Sequence, residues 1–297
     1  MTEQLLVLHP GSKAILALGT DGSRIRPIVE DLPDVPDGIV VDHVRGQLYW
    51  TNMGTPDSSR RHEYFTRNGS LERMNLDGSE RRTILPMGSF TTGKQLTADF
   101  DNATLYWCDR EGMQVLRCNL DGSDLEPLVV VAEGDDAAHE IRNQCVGIAI
   151  DTANGFLYWT QKGAPKAGEG RIFRAGLEIP AGETAANRSD IETLWSGLPE
   201  PIDLELAAGG SVLMWTDRGA EPDGNTLNRA RVLPEVGTPE IVARGFRETI
   251  ALASADERTY YVTDLHGAVR SVDVEDGTTE LIAELGPGLT GIALADF

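Results

Sequence analysis

The chain has 297 residues, and its hydrophobic content of 40% is typical of a packed globular protein and argues against intrinsic disorder. Its 47 acidic residues outnumber its 26 basic residues, which gives a formal net charge of −21. Such a charge repels the phosphates of nucleic acids and the headgroups of anionic lipids. We therefore expect neither nucleic acid nor a membrane as a partner.

The cysteines and the start of the chain bear on the cellular compartment. The sequence contains only Cys108, Cys118 and Cys145, an odd and small number that does not suggest a disulfide framework. Residues 1–8 lack the basic and long apolar regions of a signal peptide. No stretch approaches the roughly 18 apolar residues of a membrane-spanning helix. We therefore expect a reducing, cytoplasmic setting.

The first part of the chain predicts three β-strands, at residues 5–8, 13–18 and 25–29. The turn Asp21-Gly22-Ser23 separates the second strand from the third, because an Asp-Gly pair suits a turn that needs positive φ. These three strands follow no earlier strand in the sequence.

A pentapeptide, Leu48-Tyr49-Trp50-Thr51-Asn52, then organises the rest of the chain. It returns at residues 105–109, 157–161 and 213–217, and in degraded form at 260–264. A spacing of roughly 50 residues between copies is typical of a propeller or a solenoid. The aromatic and β-branched composition of each copy predicts a strand.

Each repeat predicts four antiparallel strands, which is the make-up of a propeller blade. In the second repeat the predicted strands are 96–100, 104–109, 113–120 and 125–131. The first repeat has predicted strands 38–42, 47–52, 70–76 and 82–85, and the third has 146–151, 156–160, 170–177 and 191–195. The fourth repeat has 202–206, 211–216, 226–233 and 240–242, and the fifth has 249–253, 259–263, 268–274 and 280–283.

The chain ends on a lone predicted strand, residues 289–294. This strand and the three N-terminal strands together make a sixth blade, which joins the two chain ends and removes exposed sheet edges. We therefore predict an all-β fold, in which residues 1–297 form a single six-bladed β-propeller with four antiparallel strands per blade.

The repeated Leu-Tyr-Trp-Thr-Asp pattern, the apolar strand 147–151 before the third copy, and the Asp-Gly-Ser turns resemble the YWTD β-propellers, best known from the low-density lipoprotein receptor. The resemblance covers nearly the whole chain and implies the same six-bladed fold. It also implies that the motif aromatics pack neighbouring blades together. The aromatics concerned are Tyr49, Trp50, Trp107, Trp159 and Trp215.

Long loops are predicted on only one face of this propeller. They are residues 52–69, 161–170 and 217–225 between second and third strands, and residues 131–144 between two blades. The turns on the opposite face are all short. Because long loops on a rigid scaffold commonly carry function, we expect the functional site at the loop-rich mouth of the central channel.

The longest insertion is locally basic and aromatic. Its Arg60, Arg61, His62, Tyr64 and Phe65 are candidates to close over the mouth and bind an anionic or carbonyl-bearing ligand. The alternative is a solvated loop that Tyr64 and Phe65 hold in place.

One predicted innermost strand has two carboxylates at positions where other innermost strands have small residues. Asp203 and Glu205 stand two residues apart, so both point to one face of the strand. Near the channel, partial desolvation and mutual repulsion raise one pKa, which is how an acid/base carboxylate is made. The alternative is a structural bond to a neighbouring blade or a water network.

Further polar residues are predicted at the mouth. Asp37, Lys94, Gln95, Gln144 and Glu248 lie at the mouth-facing ends of first strands and are candidate substrate contacts. We predict no metal site, because Lys94 does not fit the oxygen ligands that calcium requires. On the loop between blades, His139 is a candidate acid/base residue and Arg142 a candidate substrate contact, against the alternative of a solvated loop.

The sequence therefore predicts a cofactor-independent enzyme that acts on a small organic molecule by carboxylate acid/base chemistry, as a lyase, an isomerase or cyclase, or a hydrolase. The alternative is a non-catalytic scaffold that binds a protein or another ligand on the same face, because a fold by itself does not fix function. An enclosed mouth with convergent polar groups favours the enzyme. A broad aromatic face favours the scaffold.

Overall fold

The computed structural model of the chain describes residues 3–57 and 63–296. Across these residues, 24 strands form six antiparallel sheets of four strands each. The sheets are the blades of a six-bladed β-propeller, so the predicted fold class is confirmed.

The strands follow the predicted order from the first to the last blade. The chain begins with β1 (Glu3–His9), β2 (Ala14–Gly19) and β3 (Arg26–Val29). Blade 1 contains β4 (Pro36–Asp42), β5 (Gln47–Asn52), β6 (Gly69–Asn75) and β7 (Arg82–Phe90). Blade 2 contains β8 (Gly93–Asp99), β9 (Thr104–Asp109), β10 (Gln114–Asn119) and β11 (Glu126–Val130). Blade 3 contains β12 (Cys145–Asp151), β13 (Phe156–Gln161), β14 (Gly170–Gly176) and β15 (Glu192–Leu198).

The remaining strands complete the ring. Blade 4 contains β16 (Pro201–Ala207), β17 (Val212–Asp217), β18 (Thr226–Arg231) and β19 (Glu240–Arg244). Blade 5 contains β20 (Thr249–Ser254), β21 (Thr259–Asp264), β22 (Ala268–Asp273) and β23 (Thr279–Glu284). The final strand, β24 (Ile292–Asp296), pairs antiparallel with β1, with Leu5 opposite Leu294. Blade 6 therefore joins the two chain ends, as predicted.

The motif tryptophans form the core between blades. Trp50, Trp107, Trp159 and Trp215 are at most 1% exposed. The apolar clusters that contain them join adjacent blades, as when Trp50 of blade 1 packs with Leu8 of blade 6. These residues therefore join neighbouring blades through apolar contacts.

The motif threonines bridge neighbouring blades by hydrogen bonds. The innermost strands of blades 1 to 5 carry an irregular register near their start, which frees a backbone N–H. In blade 3 the Thr160 Oγ1 accepts that N–H from Gly147 at 2.7 Å and donates to the Ile202 carbonyl of blade 4 at 2.8 Å. The strands approach so closely that a Cβ on Gly147 would lie 2.0 Å from the Ile202 oxygen. The sequence therefore needs glycine at this position.

Helical structure is confined to connections. The passage between blades 2 and 3 contains α1 (Asp135–Ala138) and a 3-10 helix (Ile141–Asn143), and a second 3-10 helix spans Ala208–Gly210. In the part of the chain that the structure describes, no helix has the length and apolar content needed to cross a membrane. The main difference from prediction is β7, which runs to Phe90 because Phe90 packs against Trp107.

Candidate functional site

A cavity of about 520 Å³ occupies the loop-rich mouth of the propeller. Five of its lining residues hold the same position in five blades, directly after the pentapeptide strand. Because that strand ends at the loop-rich face, the next side chain reaches the mouth. These residues are Met53, Arg110, Lys162, Arg218 and Leu265.

Three of these five residues, Arg110, Lys162 and Arg218, are cationic and were missed by the sequence analysis. Their position could have identified them, because each cation directly follows a copy of the pentapeptide. Lys94, which the sequence did predict, lines the same cavity from the innermost strand of blade 2. Among the described residues that line it, the mouth cavity thus combines four cations with the carboxylates Asp37, Glu63 and Glu111.

Buried carboxylates hold these cations in place. The Lys94 ammonium pairs with Asp37, and the Arg110 guanidinium pairs with Glu111 at 2.6 Å. In blades 3 and 4, one carboxylate, Glu200, accepts from Lys162 at 3.1 Å and from Arg218 at 2.8 Å. The pairs fix the positions of the cations.

Burial lowers the pKa of both lysines at the mouth. Loss of solvent, followed by the nearby Arg218 charge, lowers the pKa of Lys162 to about 8. Burial also lowers the pKa of Lys94, against the opposing attraction of Asp37. Lys162 therefore exchanges a proton close to neutral pH.

Within residues 3–57 and 63–296, two carboxylate oxygens of mouth residues find no hydrogen-bond partner. They are Oδ2 of Asp37 and Oε2 of Glu111, and both side chains are at least nine-tenths buried. Buried polar atoms without a partner are rare in folded proteins. Both residues line the mouth cavity.

The described end of the long insertion forms one wall of the mouth. Tyr64 is buried, its carbonyl accepts from Thr92 Oγ1 at 2.8 Å, and its ring lies 5.7 Å from the Arg110 guanidinium carbon. The Phe65 ring stacks on His139, with centroids 4.1 Å apart. The predicted contacts Arg60, Arg61 and His62 lie outside the described residues.

His139 lies on the passage between blades 2 and 3, where the sequence placed it, and its catalytic role stays a prediction. It is exposed, its Nδ1 lies 2.8 Å from the Asp135 carbonyl, and its ring covers Phe65 on the outside. It is not among the residues that line the mouth cavity. His139 therefore contacts the wall of the mouth, through Phe65, and not its interior.

Asp203 and Glu205 line a different cavity, of about 280 Å³, which reaches along the channel to the short-turn face. Gln95 lines it as well, while no residue of this cavity also lines the mouth cavity. The structure therefore does not bring the carboxylate pair into one cavity with Tyr64 and Phe65. Their catalytic role stays a prediction.

The two channel carboxylates bond to blade 5. Oδ2 of Asp203 accepts from the Leu252 N–H at 3.3 Å, and Glu205 accepts from the backbone N–H and the hydroxyl of Ser254. Burial raises the pKa of Asp203 well above its usual range and raises that of Glu205 to about 7. These bonds match the structural alternative stated for the pair.

Of the other predicted contact residues, one lines the mouth and two lie elsewhere. Gln144 lines the mouth and donates to the Ala138 carbonyl at 3.1 Å. Glu248 pairs with Lys166 at 2.7 Å, and Arg142 lines a small separate cavity with Glu169. Neither Glu248 nor Arg142 is among the residues of the mouth cavity. Among the described residues, no group of three or more His, Cys, Asp or Glu side chains could hold a metal ion.

Fold and site together define a six-bladed YWTD-type β-propeller with a charged mouth. No model of a known protein family matches the sequence. The chain is 44% identical over 295 residues to low-density lipoprotein receptor-related protein 1 of Pyricularia oryzae, across 94% of this chain and 91% of that protein. The chain therefore belongs to the YWTD-repeat family of low-density lipoprotein receptor-related propellers.

Other similar proteins have different names. The chain is 39% identical over 296 residues to the 3-hydroxyacyl-CoA dehydrogenase-like protein LAM1 of Cochliobolus heterostrophus, across 95% of this chain but only 60% of that protein. Among solved structures, a chain of a nidogen/laminin complex superposes with a TM-score of 0.74 at 20% identity, covering 99% of this chain and 98% of that one. A luciferin-regenerating enzyme superposes with a TM-score of 0.60 at 10% identity, covering 86% and 78%. At these identities the two structures share the fold alone.

Proposed function

We propose that the mouth cavity binds a small organic carboxylate and that Lys162 transfers a proton on the bound molecule. The observation that supports this proposal is the convergence of Arg110, Lys162 and Arg218, each directly after its pentapeptide, on one cavity with Lys94. Because Lys162 and Arg218 share a single carboxylate, Glu200, the side of the mouth formed by blades 3 and 4 keeps a positive charge that favours an anionic group.

The walls of the cavity fit a small organic molecule. Apolar side chains, among them Met53, Phe65 and Leu265, line the same cavity as the cations. A mostly apolar cavity with a few convergent polar groups is the usual form of a small-molecule site. A guanidinium such as that of Arg218 presents a planar set of N–H groups that matches a carboxylate. One side of the ligand is thus charged and the other apolar.

Lys162 is the best placed group for proton transfer. It lies in the cavity wall, and its pKa of about 8 leaves both protonation states populated near neutral pH. A positioned acid or base with a pKa near the working pH contributes roughly 10²–10⁴ in rate. This proposal keeps the acid/base chemistry predicted from the sequence and moves it from the channel carboxylates to a mouth lysine.

A second candidate is protein binding on the same loop-rich face. It is favoured by the similarity to a low-density lipoprotein receptor-related protein, whose name describes a receptor relative. Protein binding would engage the rim of the mouth, whereas a small ligand would fill its interior. The two candidates are therefore separable by substitutions in the interior.

The first test is a titration of the protein with sodium propanoate, monitored by ligand-observed NMR. We expect saturable binding that weakens roughly ten- to hundredfold in Lys162→Met and in Arg218→Met, because a charge-assisted hydrogen bond contributes about 1.5–3 kcal/mol. The matched control is Arg258→Met, since Arg258 pairs with Asp273 on the opposite face. Equal affinity in all four proteins would contradict the site.

The second test measures the protonation of Lys162 itself. Acetic anhydride reacts with neutral amines, so the pH dependence of acetylation, followed by mass spectrometry of peptides, gives the pKa. We expect a midpoint near the pKa of about 8 and protection by propanoate. A midpoint near that of an ordinary lysine would remove Lys162 as the proton-transfer group.

A further inference from the structure

We propose that a second site, on the outer strands of blade 3, binds a phosphate group. The site is the cavity of about 230 Å³ that Arg142 and Arg171 line together with Glu169, Ser196 and Gly197. It shares no lining residue with the mouth cavity, so this proposal is independent of the carboxylate site. We call it the blade 3 cavity.

Separate segments of the chain bring the two arginines together. Arg171 is the second residue of β14, whereas Arg142 belongs to the 3-10 helix in the passage between blades 2 and 3. The Arg171 Nη2 donates to the Arg142 carbonyl at 2.5 Å, and the Arg171 guanidinium stacks on the Phe173 ring at 5.1 Å. These contacts hold the Arg171 side chain beside Arg142.

The charges of the blade 3 cavity do not cancel. Its lining contains two guanidiniums and, among the described residues, the single carboxylate of Glu169. That carboxylate accepts from the Ala164 N–H at 3.3 Å and forms no ion pair with either arginine in the part of the chain that the structure describes. The lining therefore keeps one positive charge even after Glu169 is counted.

The two guanidiniums also repel each other. Burial, followed by the charge of Arg142, lowers the pKa of Arg171, and Glu169 acts in the opposite direction. Like charges that the fold holds side by side destabilise each other, and an anion bound between them removes that cost. An anionic ligand is thus the species that this arrangement favours.

The residues that supply donors to this cavity are open to solvent. Arg171 is partly exposed, and the others, Arg142, Ser196 and Gly197, are exposed. Gly197 is the extra residue of a bulge, because Ser196 lies opposite Arg171 and the residue after Gly197 lies opposite Gly170. The extra residue of a bulge is left unpaired in the ladder, so its N–H is a donor beside the guanidiniums and the Ser196 hydroxyl.

This set of donors matches a phosphate group better than a carboxylate. A phosphate group attached to an organic molecule has a charge near −2 at neutral pH and three strong acceptor oxygens. A guanidinium donates two parallel hydrogen bonds to such a group. A carboxylate has one negative charge and two oxygens, which leaves part of the donor set without an acceptor. The phosphate group is the same in inorganic phosphate and in a phosphate monoester, and the experiment separates these two sources.

The first test follows the arginines themselves. Phenylglyoxal modifies accessible arginines, and mass spectrometry of peptides from the intact chain reports Arg142 and Arg171 separately from the mouth residues Arg110 and Arg218. We expect inorganic phosphate to protect Arg142 and Arg171 at a concentration at least tenfold lower than acetate does. Equal protection by acetate, or no protection by phosphate, would overturn the proposal.

Glycerol phosphate is the third ligand of this experiment and identifies the source of the group. Protection by glycerol phosphate at least equal to that by inorganic phosphate would support a monoester as the ligand. Protection by inorganic phosphate alone would support free phosphate. Failure of propanoate to protect Arg110 and Arg218 would count against the carboxylate site and leave the blade 3 cavity unaffected.

Variants assign the binding to named side chains. Calorimetric titration with inorganic phosphate should show affinity that is ten- to hundredfold weaker in Arg142→Met and in Arg171→Met. The matched control is Arg174→Met, on the same strand, because Arg174 also stacks on an aromatic ring, that of Phe156, but pairs with Glu192 at 2.6 Å. Its phosphate affinity should equal that of wild type, and melting curves show whether each variant is folded.

Glu169→Gln provides a change of the opposite sign. It removes the one carboxylate of the cavity lining, so phosphate should bind roughly two- to tenfold more tightly. Damage to the fold would not produce a gain in affinity. Phosphate affinity that survives unchanged in both Arg142→Met and Arg171→Met would place the bound phosphate elsewhere and overturn the proposal.

Discussion

Trp107 shows how a single residue of the repeat acts in this fold. It is fully buried, and its ring lies 5.3 Å from that of Phe90. It packs in a cluster with Tyr49 of blade 1 and Leu116 of its own blade. The side chain therefore supports the contact between two blades and is not among the residues that line the mouth cavity.

We predict that Trp107→Ala lowers the free energy of unfolding by roughly 3–5 kcal/mol, the usual cost of emptying a buried aromatic site. Urea denaturation followed by circular dichroism measures this change. Val44→Ala is the control, because Val44 is 94% exposed. A variant that unfolds like wild type would show that the core assignment is wrong.

Asp203 and Glu205 show why a residue pattern alone was ambiguous. Their spacing predicts a pair on one face of a strand, and the structure has both on β16. The acceptors of the pair meet the N–H groups of Leu252 and Ser254 on β20. An innermost strand presents an unpaired edge to the channel, so a carboxylate from the next blade satisfies donors that would otherwise need water. That neighbour is about 50 residues away in sequence.

At the scale of elements, two loops from different blades meet at the mouth. The insertion of blade 1 contributes Phe65, and the passage between blades 2 and 3 contributes His139. Their rings are nearly parallel, with an interplanar angle of 2°. The Phe65 N–H is also bonded to Asp57 at 2.8 Å. The stack therefore fastens the described end of the insertion to a second loop.

We predict that His139→Ala speeds hydrogen exchange of the Phe65 amide roughly two- to tenfold, because a stacked aromatic pair contributes about 0.5–1.5 kcal/mol. Exchange followed by mass spectrometry of peptides that span residues 63–68 measures this. His43→Ala, on the short-turn face, is the control and should leave the same peptides unchanged. Unchanged exchange in His139→Ala would mean that the stack does not hold this segment.

At the scale of the whole molecule, closure of the ring depends on five residues at the end of the chain. β24 supplies the innermost strand of blade 6 and pairs with β1. Without it, β1 would expose an unpaired edge in the middle of the propeller. Exposed edges promote pairing between chains.

We predict that deletion of residues 292–297 causes self-association and lowers the melting temperature. Size-exclusion chromatography with light scattering and a thermal melt measure the two effects, and deletion of residue 297 alone is the control. A truncated chain that stays monomeric with unchanged melting would contradict closure by β24.

The sequence by itself determined the fold, and the reason is periodicity. Five copies of one four-stranded unit, and a sixth divided between the two ends of the chain, can be read from the sequence because each strand and each Asp-Gly turn is specified by neighbouring residues. The same logic located the loop-rich face and the residues Asp37, Tyr64, Phe65, Lys94 and Gln144, which do line the mouth. The predicted single domain, the cytoplasmic setting and the enzymatic activity remain predictions.

Only the tertiary structure decided which polar residues share a cavity. Lys162 and Arg218 meet through Glu200, and Asp37 meets Lys94, from positions separated by one or more strands. Depth along the channel separates Asp203 and Glu205 from the mouth, although all these residues belong to the inner part of the blades. Such groupings depend on how the blades are arranged around the propeller axis. That arrangement cannot be predicted from a local pattern of residues.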